Sequence, residues 1–187
     1  MSRDAEYEWS IADLAYHQLR VLLLVNAVSG APGHSRKLDG LTKLAKLDFL
    51  VRYPALTLRV LDDVDPEDAR LHIGPDDIAN PTEVDDPMVR YKYGPWDDRY
   101  YPVIGALISR GLLRYVRGGR GNVALSPTAA GRRIAQGLAQ DRLWAEVADR
   151  CEAVAGYSGG LSGNALKDRI YARLADLMDR PHREVIK

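Results

Sequence analysis

The sequence predicts a mainly α-helical, α+β protein with a winged-helix-like core, a β-hairpin wing and additional C-terminal helices. Apolar residues recur at helical spacing through most of the chain, and a glycine-rich turn over 118–122 separates two short strand-like runs. The predicted order is helix, helix, strand, helix, hairpin, helix, which is the order of a winged helix. With 187 residues, the chain can bury a hydrophobic core without a metal or a disulfide.

The first two predicted helices form the start of this core. Ser10 begins a capping-box pattern and predicts a helix that continues to about Val28, apolar on most of its circumference. Apolar residues at helical spacing over 38–51 predict the second helix, and the pattern leaves Lys43 and Lys46 for its polar side. We therefore expect the first helix at the centre of the fold and the second packed beside it.

An acidic insertion separates the second helix from the third. Residues 55–87 are poor in aliphatic side chains and rich in aspartate and glutamate, which predicts solvated loops with a short helix. Residues 88–93 alternate in the manner of a strand, and Gly94-Pro95 predicts a turn after it. The third helix should then run to about Arg110 and end at Gly111, because glycine accommodates a left-handed helix stop.

The wing and the C-terminal helices follow. Residues 112–125 predict a hairpin around the glycine-rich turn, and Ser126 is the predicted N-cap of the next helix. Two further helices are expected over 141–155 and 164–178, joined by a flexible glycine-rich hinge.

The predicted elements group into two parts. We predict a winged-helix-like domain over residues 1–140, which includes the insertion, and a helical extension over 141–187 packed on it.

The composition indicates a cytoplasmic protein. Lysine and arginine balance aspartate and glutamate, so the net charge is zero and any basic surface is local. Cys151 is the only cysteine, which excludes a disulfide scaffold and fits a reducing compartment. No apolar run is long enough to span a membrane.

No motif in the sequence indicates catalysis. The four histidines are scattered without the spacing of metal ligands, and we assign no catalytic residue, no metal site and no cofactor. The segment GYSGGLSG over 156–163 lacks the preceding strand and the Gly-Lys ending of a phosphate-binding loop. We therefore expect a protein that is not an enzyme, has no small-molecule substrate and acts by binding macromolecules.

A local excess of basic residues marks the winged segment. Residues 88–133 carry nine basic residues against two acidic ones. Contact with DNA phosphates and pairing with the acidic insertion are two alternatives that the sequence leaves open. The candidate nucleic-acid-binding residues are Arg110, Arg114, Arg117, Arg120, Arg132 and Arg133.

An aromatic cluster stands just before the third helix. Five aromatic residues fall within the eleven residues 91–101. Tyrosine and tryptophan anchor protein interfaces, and they also fix irregular corners onto a core, which is the favoured role for Trp96. The candidate partner-binding residues are Tyr93, Trp96, Tyr100 and Tyr101.

Three segments carry a resemblance to a known family. They are LTKLAKLDFLVRYP over 41–54, VRYKYGPWDDRYYPVIGALISRGLL over 89–113 and VALSPTAAGRRIA over 123–135. Together they resemble the middle component of bacterial three-component ABC-ATPase systems of the Lamassu antiphage type. The segment YGPWDDRYY is the most specific of them, whereas LSPTAAG recurs in many winged-helix regulators.

The resemblance implies a role and a set of partners. It implies a non-catalytic accessory subunit that binds an ATPase related to the structural-maintenance-of-chromosomes class and an effector, commonly a nuclease, with double-stranded DNA as a further partner. Two alternatives use the same segments. One is a stand-alone winged-helix transcription regulator, which would bind an operator as a homodimer. The other is a Panacea-type antitoxin or adaptor, which would bind a small toxin.

Overall fold

The fold is a mainly helical α+β structure. The computed structural model describes the backbone from Arg3 to Lys187 and the side chains from Leu14 onward, except that of Arg120. The helices, in chain order, are α1 (Arg3–Gly30), α2 (Gly40–Arg52), α3 (Pro54–Val60), α4 (Pro75–Ala79), α5 (Tyr100–Ser109), α6 (Ala129–Gln140), α7 (Ala145–Ser158), α8 (Gly163–Arg173) and α9 (Ala175–Met178).

Two small antiparallel sheets complete the architecture. Strands β1 (Leu38–Asp39), β4 (Leu113–Arg117) and β5 (Val123–Pro127) form one sheet in the order β1-β5-β4, and β2 (Val89–Tyr91) and β3 (Gly94–Trp96) form a separate hairpin. The β4–β5 hairpin is the predicted wing. The order α1, β1, α2, α5, β4, β5 is that of a winged helix, with the insertion between α2 and α5, and the predicted fold class is confirmed.

Helix α1 lies at the centre of the core, as predicted. The run from Val21 to Val25 is buried throughout, and α1 packs against α5, α6, α7 and strand β5. Helix α2 packs against α7 and α8. Residues of α2 and of the C-terminal helices, such as Leu47 and Val154, belong to one hydrophobic cluster. The C-terminal helices are therefore part of the packing that holds α1 and α2.

Both predicted helix N-caps, Ser10 and Ser126, are wrong. Helix α1 begins at Arg3 rather than at Ser10, and the Ser10 and Asp13 side chains lie outside the described part of the chain. Helix α6 is capped by Thr128, whose hydroxyl accepts from the Gly131 amide at 3.0 Å and donates to the Gly111 carbonyl at 2.7 Å. The predicted cap, Ser126, instead pairs with Arg114 in the wing sheet.

Three further expectations are corrected by packing. Gly94 and Pro95 lie in strand β3, and the turn falls on the two residues before them. The segment 156–163 is not a flexible hinge: it ends α7, starts α8 and leaves residues 159–162 as a packed turn, in which a Cβ on Gly160 would collide with the Gly33 carbonyl. Lys43 and Lys46 are buried, at 6% and 1% exposure, and do not form a polar surface.

Candidate functional site

The predicted nucleic-acid-binding arginines lie on the wing, at the end of α5 and on α6. Arg114 and Arg117 are exposed on β4, and Arg133 is exposed on α6. The Arg132 guanidinium donates to the Pro127 carbonyl at 2.9 Å, and that of Arg110 donates to the Gln18 side chain. None of these five arginines forms an ion pair within the described part of the chain. The Arg120 side chain lies outside it.

The acidic insertion does not neutralise these arginines. Its Asp62 pairs instead with Arg169 and Arg173 of α8, at 2.6 Å each. Its Asp86 pairs with Arg99, the only basic residue of 88–133 for which the described residues give an acidic partner in the insertion. Of the two alternatives left open by the sequence, pairing with the insertion therefore applies to Arg99 and to none of the five described candidates.

Helix α5 occupies the position of the third helix of a winged helix but is poor in groups for reading bases. Its sequence, YYPVIGALIS, contains no arginine, lysine, asparagine or glutamine, the side chains that most often bond base edges. Its exposed residues are Tyr101, Pro102, Gly105 and, at the C-terminal end, Ser109. This surface is mostly apolar and aromatic, and it continues into the aromatic cluster.

The predicted partner-binding residues divide into exposed and buried members. Tyr93 and Tyr101 are 52% and 64% exposed. Trp96 is partly buried; it stacks on Tyr91 with the ring centroids 5.8 Å apart. Tyr100 is 2% exposed, so the structure places it in the core and not on a contact surface.

An open pocket lies among these aromatic side chains. It has a volume of about 300 Å³ and is lined by Tyr91, Tyr93, Trp96, Tyr101 and the side chain of Lys46, which we call together the aromatic pocket. Burial, with a smaller contribution from the nearby Lys167 charge, lowers the pKa of Lys46 to about 8. The pocket therefore combines aromatic walls with a buried amine.

Beneath this surface lies a buried network of charged side chains that the sequence analysis missed. Asp48 of α2 is completely buried and accepts from Arg20 Nε at 2.8 Å, from Arg52 Nη2 at 2.7 Å and from the Tyr100 hydroxyl at 2.7 Å. Burial alone would raise the pKa of Asp48, but the Arg20 and Arg52 charges outweigh it and hold the pKa well below its usual range.

The network extends to the loop before α5 and to the insertion. Asp97 accepts from Arg52 Nη2 and from Arg99 Nη2, at 2.7 Å each. Burial opposes ionisation of Asp97 as well, but hydrogen bonds from Arg99 and the Arg52 charge keep its pKa low. Asp86 of the insertion pairs with Arg52 at 2.9 Å and with Arg99 at 2.8 Å. Asp86, predicted as part of a solvated loop, is instead three-quarters buried at its side chain.

The sequence does contain a signal for this network, namely charged residues within apolar helical runs. Asp48 and Arg52 are four residues apart within the largely apolar run LDFLVRY, and Arg20 stands within LRVLLLV. A charged residue in an apolar helical stripe requires a charged partner once it is buried. Asp97, Arg99 and Tyr100 belong to the segment YGPWDDRYY, so this segment supplies part of the buried network.

The network does not favour a metal ion. His17, Asp86 and Asp97 bring potential ligand atoms within 4.8 Å of one another. Both carboxylates already bond to arginine, and the Arg20, Arg52 and Arg99 charges would oppose a cation. Burial, followed by the Arg20 charge, lowers the pKa of His17, so the site favours a neutral imidazole. We assign the cluster to structure.

Comparison of the chain with models of protein families, with curated proteins and with solved structures found no match. Among the described residues, every helix is too short or too polar to cross a lipid bilayer. The function is therefore inferred from the geometry of the chain itself.

Proposed function

We propose that this chain is a non-catalytic accessory subunit of a cytoplasmic antiphage complex, in which it binds an SMC-like ABC ATPase and a nuclease effector and contacts the backbone of double-stranded DNA. The observation that carries this proposal is the character of α5. The helix stands where winged-helix regulators read bases, yet its exposed side is aromatic and apolar except for Ser109 at its end. Such a helix suits a protein contact better than an operator.

The basic residues support contact with phosphates and not with bases. Arg114 and Arg117 stand on the wing strand β4, and Arg132 and Arg133 on α6, beside the winged core. Exposed arginines without acidic partners are available to phosphate oxygens, and each contact releases counterions from the DNA. DNA binding by this chain is therefore expected to be independent of sequence and sensitive to salt.

The aromatic residues support contact with a protein. Tyr93 and Tyr101 leave more than half of their surfaces exposed beside the partly buried Trp96. Large aromatic side chains fixed by stacking bury much area with little loss of rotamer entropy, and they are enriched at the energetic centres of interfaces. This surface is the part of the chain that we assign to the ATPase or the effector.

The DNA contact is tested by the salt dependence of binding. The double variant Arg114→Glu, Arg117→Glu should weaken duplex binding by the assembled complex and lower the slope of log affinity against log salt by roughly two units. The matched control is Arg142→Glu, Lys187→Glu, which changes the net charge equally at exposed sites outside the wing, α6 and the aromatic cluster. An unchanged slope in the wing variant would reject the phosphate contact.

The protein contact is tested by co-purification with the products of neighbouring genes, identified by mass. We expect an SMC-like ATPase to co-purify with the wild type and to be lost with Tyr101→Ala, which changes an exposed side chain and leaves the core intact. Tyr115→Ala, at a similarly exposed tyrosine of the wing, is the control. A homodimer that binds one operator specifically, with no ATPase attached, would favour the transcription regulator instead.

A further inference from the structure

The aromatic pocket has a charged floor without a charged partner. Lys46 is 1% exposed, and its ammonium donates one hydrogen bond in the structure, to the Pro95 carbonyl at 3.2 Å. No carboxylate of the described residues lies within ion-pair distance of it. An ammonium has three donors, and a buried cation without a counterion is costly. Lys46 therefore retains unused donors beside the cavity.

Among the described residues, the carboxylate that lines the pocket is that of Asp98, and it is already engaged. Asp98 pairs with Arg183 at 2.8 Å and accepts from the Trp96 indole Nε1 at 3.1 Å. These bonds fix the Trp96 ring as a wall of the pocket. The nearby Lys167 charge adds to the local positive potential.

The backbone of β3 keeps Lys46 in this position. Gly94 has φ of +99°, a conformation that favours glycine, and a Cβ there would stand 3.2 Å from Lys46 Cε. A residue with a Cβ at this position would be strained and would press on the lysine side chain. The glycine of the segment YGPW thus lets the β3 backbone approach Lys46 closely.

We propose that the aromatic pocket takes an acidic side chain of a partner protein, flanked by an apolar residue, with its carboxylate against the Lys46 ammonium. The charge complementarity selects the occupant, because a carboxylate supplies the counterion that Lys46 lacks while the aromatic walls cover the apolar flank. This inference deepens the proposed function, since it names the chemistry by which the partner subunit is recognised.

A pair of small probes tests the proposal without the partner. The carboxylate probe is 3-phenylpropionate, and its neutral control is 3-phenylpropionamide. Nuclear magnetic resonance of the indole N–H groups reports binding, because the Trp96 indole lines the pocket while that of Trp144, which stacks on Tyr16, serves as the internal reference. We expect the carboxylate to shift the Trp96 resonance saturably and the amide to leave it nearly unchanged.

Two variants assign the effect to the buried amine. Lys46→Met should abolish the carboxylate-dependent shift, whereas Lys187→Met, at an exposed lysine that does not line the pocket, should preserve it. Equal shifts by the two probes, or loss of the shift in Lys187→Met alone, would overturn the proposal. A thermal unfolding transition of each variant shows that it remains folded.

The pH dependence of binding gives a second measurement on the unmodified protein. Affinity for 3-phenylpropionate should fall about tenfold between pH 7 and pH 9, as the Lys46 ammonium loses its proton while the probe remains ionised. Constant affinity over this range would contradict the proposal. The other charged or titratable groups around Lys46 are Lys92, Asp98, Lys167, Arg183, Tyr91, Tyr93, Tyr101 and Tyr171.

The probe experiment and the co-purification experiment test different proposals, and either proposal can be rejected while the other is supported. Binding of the carboxylate probe with no ATPase recovered would support the pocket and reject the proposed assembly. Recovery of the ATPase by a Lys46→Met variant as efficiently as by the wild type would support the assembly and reject this mode of recognition.

Discussion

At the scale of single residues, the chain places two buried cationic groups in opposite situations. Arg52 is surrounded by the carboxylates of Asp48, Asp86 and Asp97, which raise its pKa against the effect of burial. Lys46, six positions earlier on the same helix, has only a carbonyl oxygen as its partner among the described residues. Burial therefore favours the neutral form of Lys46, and the protein loses stability by keeping it charged at neutral pH.

Replacing Lys46 should stabilise the protein. We expect Lys46→Met to raise the free energy of unfolding by about 1–2 kcal/mol at pH 7, since the variant buries a neutral side chain of similar length. Urea unfolding measures this, with Lys92→Met as the exposed control. The folded pKa of Lys46 lies below the unfolded value, so wild-type stability rises as the pH increases from about 8 toward 10. The difference between wild type and variant should shrink over that range, and a difference that stays constant would contradict the argument.

At the scale of elements, the junction between the wing and α6 depends on one glycine. The Gly131 amide bonds to the Thr128 hydroxyl, and the Leu112 carbonyl lies where a Cβ on Gly131 would stand. Leu112 also accepts from the Thr128 amide at 3.0 Å. The close approach fixes the start of α6 against the strand that leads into the wing, and so sets where Arg132 and Arg133 stand relative to β4.

Two glycines of α6 provide a matched test of this junction. Gly131→Ala should lower the free energy of unfolding by about 3 kcal/mol, because backbone must move to make room for the methyl group. Gly137→Ala, on the same helix with open space around it, should raise it by about 0.5–1 kcal/mol through helix propensity. Chemical unfolding of both variants checks the pair. Equal effects would show that the approach to Leu112 is not tight.

At the scale of the whole molecule, the buried network joins segments that are distant in the chain. Arg20 comes from α1, Asp48 from α2, Asp86 from the insertion, and Asp97 from the loop before α5. The insertion and the loop are thus attached to the two central helices by charged contacts and not by apolar packing alone. These contacts therefore help to hold the β2–β3 hairpin and the aromatic pocket in place.

The network makes stability depend on pH on the acid side. The folded pKa values of Asp48 and Asp97 are depressed, so their contribution is complete above the unfolded value of about 4 and is lost as the pH falls through the folded values. We expect stability to fall between about pH 5 and pH 2, measured by thermal unfolding.

A pair of variants isolates the part of this dependence that Asp48 supplies. Asp48→Asn should destabilise the protein by about 3–5 kcal/mol at pH 7, because it leaves Arg20 and Arg52 with less negative charge, and should show a shallower acid dependence. Asp168→Asn, at an exposed acid of α8, should behave as the wild type. A wild-type acid profile in Asp48→Asn would show that this carboxylate is not a source of the dependence.

The sequence by itself determined the fold class, the central helix, the wing hairpin and the left-handed stop at Gly111, because hydrophobic periodicity and glycine turns are local signals. It also located the aromatic cluster and the basic segment. Only the tertiary structure decided that Tyr100 is buried, that Thr128 caps α6, that Asp86 is not solvated, and that Lys46 forms the floor of a pocket. Apart from the Thr128 cap, those outcomes depend on contacts between residues far apart in the chain, such as Arg20 with Asp86 and Lys46 with the Pro95 carbonyl, 66 and 49 positions apart, which no local pattern can specify.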